Sequence, residues 1–347
     1  MTADAAYGLA CQGTALLWHG DFQNARQMLN ALASRADRAP GQSRKAHARA
    51  TPESPVEAFN LLRQARSQRA RTLGMLLVPL DEDYSIPLRR APDLRQACAE
   101  AYGPAEGPSI ASLRELQGIV GAHEWRINGI DIPALGERIH PHYGVFAPVR
   151  SEYVDLVAEA PLPGALSSSS AAFDIGTGTG VLAAVLARRG IERVIATDQD
   201  PRALACAREN LSRLGLASRV EVVAADLFPE GRASLVVCNP PWIPARPSSA
   251  LEHGIYDHES RMLRGFLDGL PAHLTPEGEG WLILSDLAEH LGLRPRAQLL
   301  AWLDAAGLKT LDRIDVRPVH PRASDETDPL HAARAAELTS LWRLAVR

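Results

Sequence analysis

Phe173-Asp174-Ile175-Gly176-Thr177-Gly178-Thr179-Gly180 joins a short apolar run, read as a strand, to a helical pattern over 181–189. At such a junction a glycine loop lets the backbone approach a ligand closely, and the carboxyl ends of parallel strands are where open α/β sheets bind nucleotides. The spacing is G-x-G-x-G, not the G-x-G-x-x-G of a dinucleotide fingerprint, and no G-K-[ST] follows, which excludes a P-loop. Asp174, two residues ahead of the loop, would repel a pyrophosphate and attract a cationic ligand. Taken alone, the glycine motif is weak evidence, with simple turn chemistry as the competing reading.

The surrounding sequence alternates strand and helix. Strands are expected at 172–175, 193–197, 220–224, 235–238, 281–284, 313–317 and 341–346. A helix over 201–214 has Asp200 as N-cap, Pro201 at its first position and Gly215 as C-cap. This alternation predicts an α/β fold with a doubly wound, seven-stranded, mostly parallel sheet covered on both faces.

Two further acids fall at strand ends. Asp198 closes the second of these strands, where a carboxylate accepts both hydroxyls of a ribose. Asp226 closes the third, in Ala225-Asp226-Leu227-Phe228, where it faces the amino group of an adenine while Leu227 offers apolar contact. Each could be a turn cap; together they outline a nucleoside.

The fourth strand ends in Val237-Cys238-Asn239-Pro240-Pro241-Trp242. Two consecutive prolines cannot donate ladder hydrogen bonds, so they end the strand, stiffen the backbone and leave the Pro240 carbonyl free to accept. The Asn239 side-chain carbonyl adds a second acceptor, and the pair can hold both hydrogens of a planar NH2 group. That grip turns the nitrogen lone pair toward an electrophile held over the glycine loop. Trp242 offers a face for a flat amide or base. A plain Asn-Pro-Pro turn with a packed Trp is the competing reading.

Glycine loop and N-P-P-W, in this order, resemble the class I S-adenosylmethionine-dependent methyltransferases, a Rossmann-like fold, and within them the N-methylating branch with an N-P-P-[YFW] motif. The likeness covers about residues 121–347. Within that branch the chain is similar to the HemK-type protein-glutamine N5-methyltransferases, on Gly144-Val145-Phe146-Ala147-Pro148-Val149-Arg150, on Ala225-Asp226-Leu227-Phe228 and on an N-terminal helical domain joined by a hairpin. The resemblance implies S-adenosyl-L-methionine as cofactor. Asp174 and Gly176, Thr177, Gly178, Thr179 and Gly180 would line its methionine and ribose, Asp198 its ribose, and Asp226 and Leu227 its adenine. Asn239 would touch both cofactor and substrate, with Pro240, Pro241 and Trp242 completing the catalytic clamp. It further implies a protein glutamine amide, of release-factor type, as acceptor. Methylation of adenine N6 or guanine N2 in rRNA, tRNA or DNA is the alternative, since all are flat NH2 groups, and a non-catalytic module that binds the cofactor or nucleic acid is another. The chain departs from the branch in Trp242, where Tyr is usual, and in Pro148-Val149-Arg150-Ser151-Glu152-Tyr153, where P-R-P-x-T-E is usual.

Upstream, residues 1–120 read as a mainly helical domain concerned with substrate recognition, 121–150 as a β-hairpin connector and 151–347 as the catalytic domain. Helices are expected over 15–34, 55–73 and 109–120, with the apolar stretch Met75-Leu76-Leu77-Val78 closed by Pro79 and a loop over 35–55. Trp125-Arg126-Ile127 and Val145-Phe146 read as strand pieces, with Asn128-Gly129 as the hairpin turn. A helix over 152–158 and a Ser-rich loop over 161–170 follow. Between 35 and 71 nine basic residues face three acids, a local net of +6. With Phe59 as the only aromatic there, this reads as a solvated face beside a linker rather than an RNA-facing patch.

Bulk composition bounds the rest. The 347 residues are 46% hydrophobic and 22% charged, which excludes a disordered or fibrous chain, and the length suggests two domains. A net charge of -4 gives no overall attraction to nucleic acid or anionic membrane. All but Lys45 and Lys309 of the 37 basic residues are arginines, a bias that by itself says nothing about phosphate. Cys11, Cys98, Cys206 and Cys238 form no C-x-x-C pair, so no metal is expected, and a reducing cytoplasm fits. His253 and His258 around Asp257 suggest a substrate lid more than a metal site, and His140-Pro141-His142 a hairpin-turn feature. No leader or membrane span is expected, and a monomer fits, with oligomeric state left open.

Overall fold

The computed structural model describes residues 1–37, 52–166, 171–248, 250–319 and 325–347. The expected loop over 35–55 and the serines at 167–170 therefore lie largely or wholly outside the described residues, as do Arg38, Arg44, Lys45 and Arg49 of the basic segment. The chain forms two compact units, Met1–Glu124 and Trp125–Arg347.

The second unit is built on a seven-stranded sheet. Its strands are β6 (Ala171–Ile175), β7 (Arg193–Asp198), β8 (Val220–Ala224), β9 (Ala233–Cys238), β10 (Leu274–Ser285), β11 (Leu308–Val316) and β12 (Thr339–Val346), in the order β11-β12-β10-β9-β6-β7-β8. Only β12 runs against its neighbours. Such a sheet is covered on both faces, so its inner strands lose the in-out alternation, and all six residues of β9 are buried. Leu235, Val237, Trp281 and Ile283 pack one side; Phe173, Val236, Cys238 and Leu282 pack the other. The covering helices include α6 (Glu152–Glu159), α7 (Val181–Arg188), α8 (Pro201–Arg213), α9 (Arg261–His273) and α11 (Arg296–Ala305). Asp200 caps α8 by accepting from the Arg202 N–H, and Pro201 opens it.

Strand order reverses at β6, since β7 and β8 lie on one side of it and β9 on the other. Register then fixes which loops meet. Ile175 is paired with Cys238 and with Thr197. Gly176, Asn239 and Asp198 therefore leave three adjacent strands at the same height, with strand spacings of about 4.8 Å. A crevice at such a switch point is the ligand site of open α/β sheets.

Several local readings differ. The first unit carries helices but also a three-stranded sheet, β1 (Leu16–Leu17), β2 (Leu76–Leu80) and β3 (Ser109–Ser112). The helix expected from residue 15 begins at Phe22, because Asp21 accepts the Gln23 N–H and caps it there, and Leu16 pairs with Leu76 instead. An unexpected helix, Ala3–Cys11, is capped by Thr2. The helix expected over 109–120 begins at Leu113 and continues to Asn128, absorbing Trp125-Arg126-Ile127. Gly129 has φ +71° and its N–H bonds the Trp125 carbonyl, so Asn128-Gly129 stops a helix and does not turn a hairpin. The hairpin is β4 (Ile130–Ile132) with β5 (Glu137–Ile139), turning through Pro133–Gly136. Val145 and Phe146 are in no strand; Val145 packs on Ala203 and Cys206 of α8.

Candidate active site

Asp174 lies beneath the glycine loop, almost fully buried. Its Oδ2 accepts from Thr177 Oγ1 at 2.6 Å and from the Ala183 N–H in the first turn of α7 at 3.0 Å. It braces the loop from within and caps α7. Burial raises its pKa to about 6; the two hydrogen bonds oppose that rise and the nearby Asp198 charge adds to it. Thr177 and Thr179 are also buried.

Asp198 is half-buried at the end of β7. Its Oδ2 accepts the Gly178 N–H at 3.0 Å and its Oδ1 the Asp200 N–H at 2.9 Å, which fixes the carboxylate while leaving each oxygen a further lone pair. Burial raises its pKa, against the pull of those N–H donors. Gly178 has φ +55°, and a Cβ added there would meet nothing within 4 Å. A Cβ on Gly180, at φ +82°, would lie 3.2 Å from Ala207 Cα, so that glycine is needed for the close approach of α7 and α8. Gly176 is instead overlain by Met262, whose Cε occupies the place of its missing side chain.

Leu227 has φ +76°, a left-handed conformation that costs a leucine energy, and the Thr197 hydroxyl holds its carbonyl. Asp226 is exposed, 3.4 Å from the equally exposed Arg261, an ion pair of little worth.

On the opposite wall Asn239 is half-buried and Pro240 buried. The Asn239 Oδ1 accepts the Trp242 indole N–H at 2.8 Å. The Trp242 ring lies beneath the Arg150 guanidinium, 4.9 Å from its centroid, and packs against the clusters on both sides of the sheet. Trp242 is thus a packed and hydrogen-bonded residue, where its sequence suggested an open face.

Four residues around the site carried no signal strong enough to be singled out. Arg150 pairs with Glu152 and with Glu337, 3.0 Å away, and reaches Thr339. Arg294 is buried and donates to the Trp242 carbonyl and to Ser260, each at 3.3 Å. Asn210 of α8 ties the Thr179 carbonyl to the His140 backbone. Asp257 was noted only for its flanking histidines. It turns inward to accept the N–H groups of Met262 and Leu263, capping α9, while His258 meets Arg246. His140 and His142 follow the hairpin and do not turn it; His142 binds Glu209 of α8. Burial pushes the Cys238 thiol well above its ordinary pKa, so it is no nucleophile.

The donor set fits a cationic nucleoside: a carboxylate with spare lone pairs for a diol, an open glycine backbone, and a second carboxylate behind the loop. Residues 138–292 match the family model of the methyltransferase small domain. The chain is 36% identical over 160 residues to the release factor glutamine methyltransferase of Cereibacter sphaeroides, covering 42% of this chain and 54% of that protein. It is 32% identical over 155 residues to the tRNA1(Val) (adenine(37)-N6)-methyltransferase of Bacteroides fragilis, covering 39% and 64%. It therefore spans less than two thirds of either relative. The ribosomal protein L11 methylase of Lactobacillus delbrueckii subsp. bulgaricus superposes with a TM-score of 0.39 at 17% identity, over 57% of this chain and 79% of that one.

Proposed function

We propose, for a chain whose residues 138–292 form a class I S-adenosylmethionine-dependent methyltransferase domain, that it methylates the NH2 nitrogen of a protein glutamine amide, of the kind found in translation release factors. The observation that carries this reading is the position of Asn239-Pro240-Pro241-Trp242, level with the glycine loop across the switch point of the sheet.

S-adenosylmethionine supplies an electrophilic methyl group on a positively charged sulfur. The glycine-loop backbone and Asp198 would hold its methionine and ribose, and Leu227 and Asp226 its adenine. Asn239 Oδ1 keeps one lone pair beyond that taken by Trp242, and the Pro240 carbonyl provides the second acceptor for a planar NH2 group. Gripping both N–H bonds twists the nitrogen lone pair out of conjugation. The nitrogen becomes acidic only as its new bond forms, so water or a backbone acceptor suffices to take the proton. Positioning contributes most of the rate.

An amide is favoured over a base by Trp242. Enzymes that work on flipped bases stack them on aromatic or apolar faces, whereas here one face is under Arg150 and the ring packs on core side chains. Base N-methylation remains the second reading, supported by the likeness to a tRNA adenine methyltransferase. A non-catalytic binder would have no use for two aimed acceptors. The four cysteines are free and three are buried, which suits the cytoplasm. Among the described residues no helix is long and apolar enough to cross a membrane.

Asn239→Ala should lower methyl transfer by roughly 10²–10³-fold, the loss seen when one aimed polar group is removed from an active site. The cofactor Kd should change far less than the rate, since the glycine loop, Asp198 and Leu227 would carry most of the cofactor contacts. Transfer of labelled methyl to cell fractions, followed by protease or nuclease, identifies the acceptor; label lost to protease is expected. Near wild-type transfer by Asn239→Ala overturns the assignment, and label lost to nuclease alone replaces the amide with a base.

A further inference from the structure

The indole N–H of Trp242 is a donor with no acceptor capacity, so it can face only the oxygen of the Asn239 carboxamide. A flipped carboxamide would set NH2 against N–H, two donors in contact, and would present its own NH2 where an acceptor is required. The orientation of Asn239 is therefore set by Trp242.

Trp242 is in turn held at two other points. Arg150 covers its ring face at 4.9 Å, and Arg294 donates to its carbonyl at 3.3 Å. Arg150 has little freedom of its own. Its side chain is 20% exposed and is fixed by Glu152 at 9% and Glu337 at 0% exposure. A guanidinium stacked on an aromatic face while its edge is engaged by carboxylates is a geometry that lysine cannot reproduce. The contacts run without a gap from Glu337 through Arg150 and Trp242 to Asn239.

We propose that Arg150 and Trp242 are a positioning pair for methyl transfer: they fix the Asn239 carboxamide so that one lone pair of Oδ1 is held by the indole and the other meets the N–H of the methyl acceptor. This rests on the assignment of Asn239 as the acceptor-binding residue. It gives Trp242 a role in orienting Asn239, and it makes Arg150 part of the same device.

The test uses the full chain. In a spectrum of the ¹⁵N-labelled protein, Trp242→Phe removes one indole N–H signal, and Asn239→Ala and Arg150→Lys should each shift that same signal. Trp242→Phe keeps an aromatic ring under Arg150 while removing the indole N–H together with the pyrrole ring that carries it; its kcat should fall about tenfold, the equivalent of one net hydrogen bond. Its cofactor Kd and acceptor KM should stay within about twofold. Arg150→Lys preserves the charge between Glu152 and Glu337 and should lower kcat severalfold with the same KM. In an Asn239→Ala background, Trp242→Phe should cost nothing further, because its effect passes through the missing carboxamide. The inference is overturned if Trp242→Phe has wild-type kcat while Asn239→Ala is inactive, or if the two losses simply multiply. An active Asn239→Ala enzyme instead removes the underlying functional assignment.

Discussion

Asp174 illustrates how one side chain can be both necessary and costly. Its carboxylate satisfies Thr177 and the first turn of α7, yet it is 1% exposed and its pKa is raised to about 6. A carboxyl raised in the folded state contributes its stability below the unfolded pKa. That contribution is lost as pH rises through about 6, because the buried group must then ionise. The rise from 3.8 to about 6 corresponds to about 3 kcal/mol. Asp174→Asn keeps an acceptor oxygen without the charge, so its stability relative to wild type should improve by about 2–3 kcal/mol between pH 4 and pH 7.5. Asp174→Ala leaves two donors unmet, a cost of roughly 1–3 kcal/mol, but it too lacks the titrating carboxyl, so its stability relative to wild type should rise by the same 2–3 kcal/mol between pH 4 and pH 7.5. Urea unfolding of the three proteins at both pH values checks this, and a pH-independent difference for Asp174→Asn would show that the carboxyl does not titrate in that range. At this scale the sequence placed Asp198 and Asn239 correctly at strand ends. It was silent where the partner is set by a rotamer. Nothing in Asn-Pro-Pro-Trp says that the indole turns back on Asn239, and Arg150 and Arg294 are two arginines among 35.

The glycine loop works as an element because its three glycines meet different surroundings. Gly178 faces open space at φ +55°, whereas Gly180 at φ +82° lies against Ala207 of α8. Gly178→Ala should therefore cost only about 1–2 kcal/mol, the strain of a left-handed alanine, while its methyl group enters the cofactor cradle and raises the cofactor Kd at least tenfold. Gly180→Ala adds a steric clash to the same strain and should cost about 2–4 kcal/mol. Denaturant titration and calorimetry with S-adenosylmethionine separate the two cases. Unchanged cofactor affinity in Gly178→Ala would remove the loop from the binding site. Strands β6 to β9 were readable to within about two residues because buried parallel strands are short apolar runs ended by Gly, Asp or Pro. The 113–139 region was misread because Asn-Gly serves a helix stop as well as a hairpin turn. Only the continued helical packing of Leu113, Leu116 and Ile119 decides between them.

At the scale of the molecule, the residues proposed to hold acceptor and cofactor all fall within Trp125–Arg347, and two large hydrophobic clusters are drawn from that unit alone. A unit with its own core is expected to fold by itself. A 125–347 fragment should therefore unfold cooperatively and bind S-adenosylmethionine with a Kd within about threefold of the full chain. If Met1–Glu124 supplies recognition of the acceptor, as we propose, the fragment should transfer methyl to the natural acceptor at least about a hundredfold more slowly. The ion pairs of the first unit bear on what that acceptor is. Arg35 pairs with Asp4, Arg69 with Asp37, and Asp21 with both Arg89 and Arg90, so much of its described basic character is neutralised within the unit. Phosphate contacts would make apparent affinity fall steeply with salt, about 0.9 log units per tenfold salt for each phosphate engaged on a duplex. A protein amide predicts a shallow dependence, with acceptor KM changing less than about threefold between 50 and 200 mM salt. Loss of affinity by a hundredfold or more over that range, in the full chain and not in the fragment, would turn the first unit into a nucleic-acid reader and the acceptor into a base.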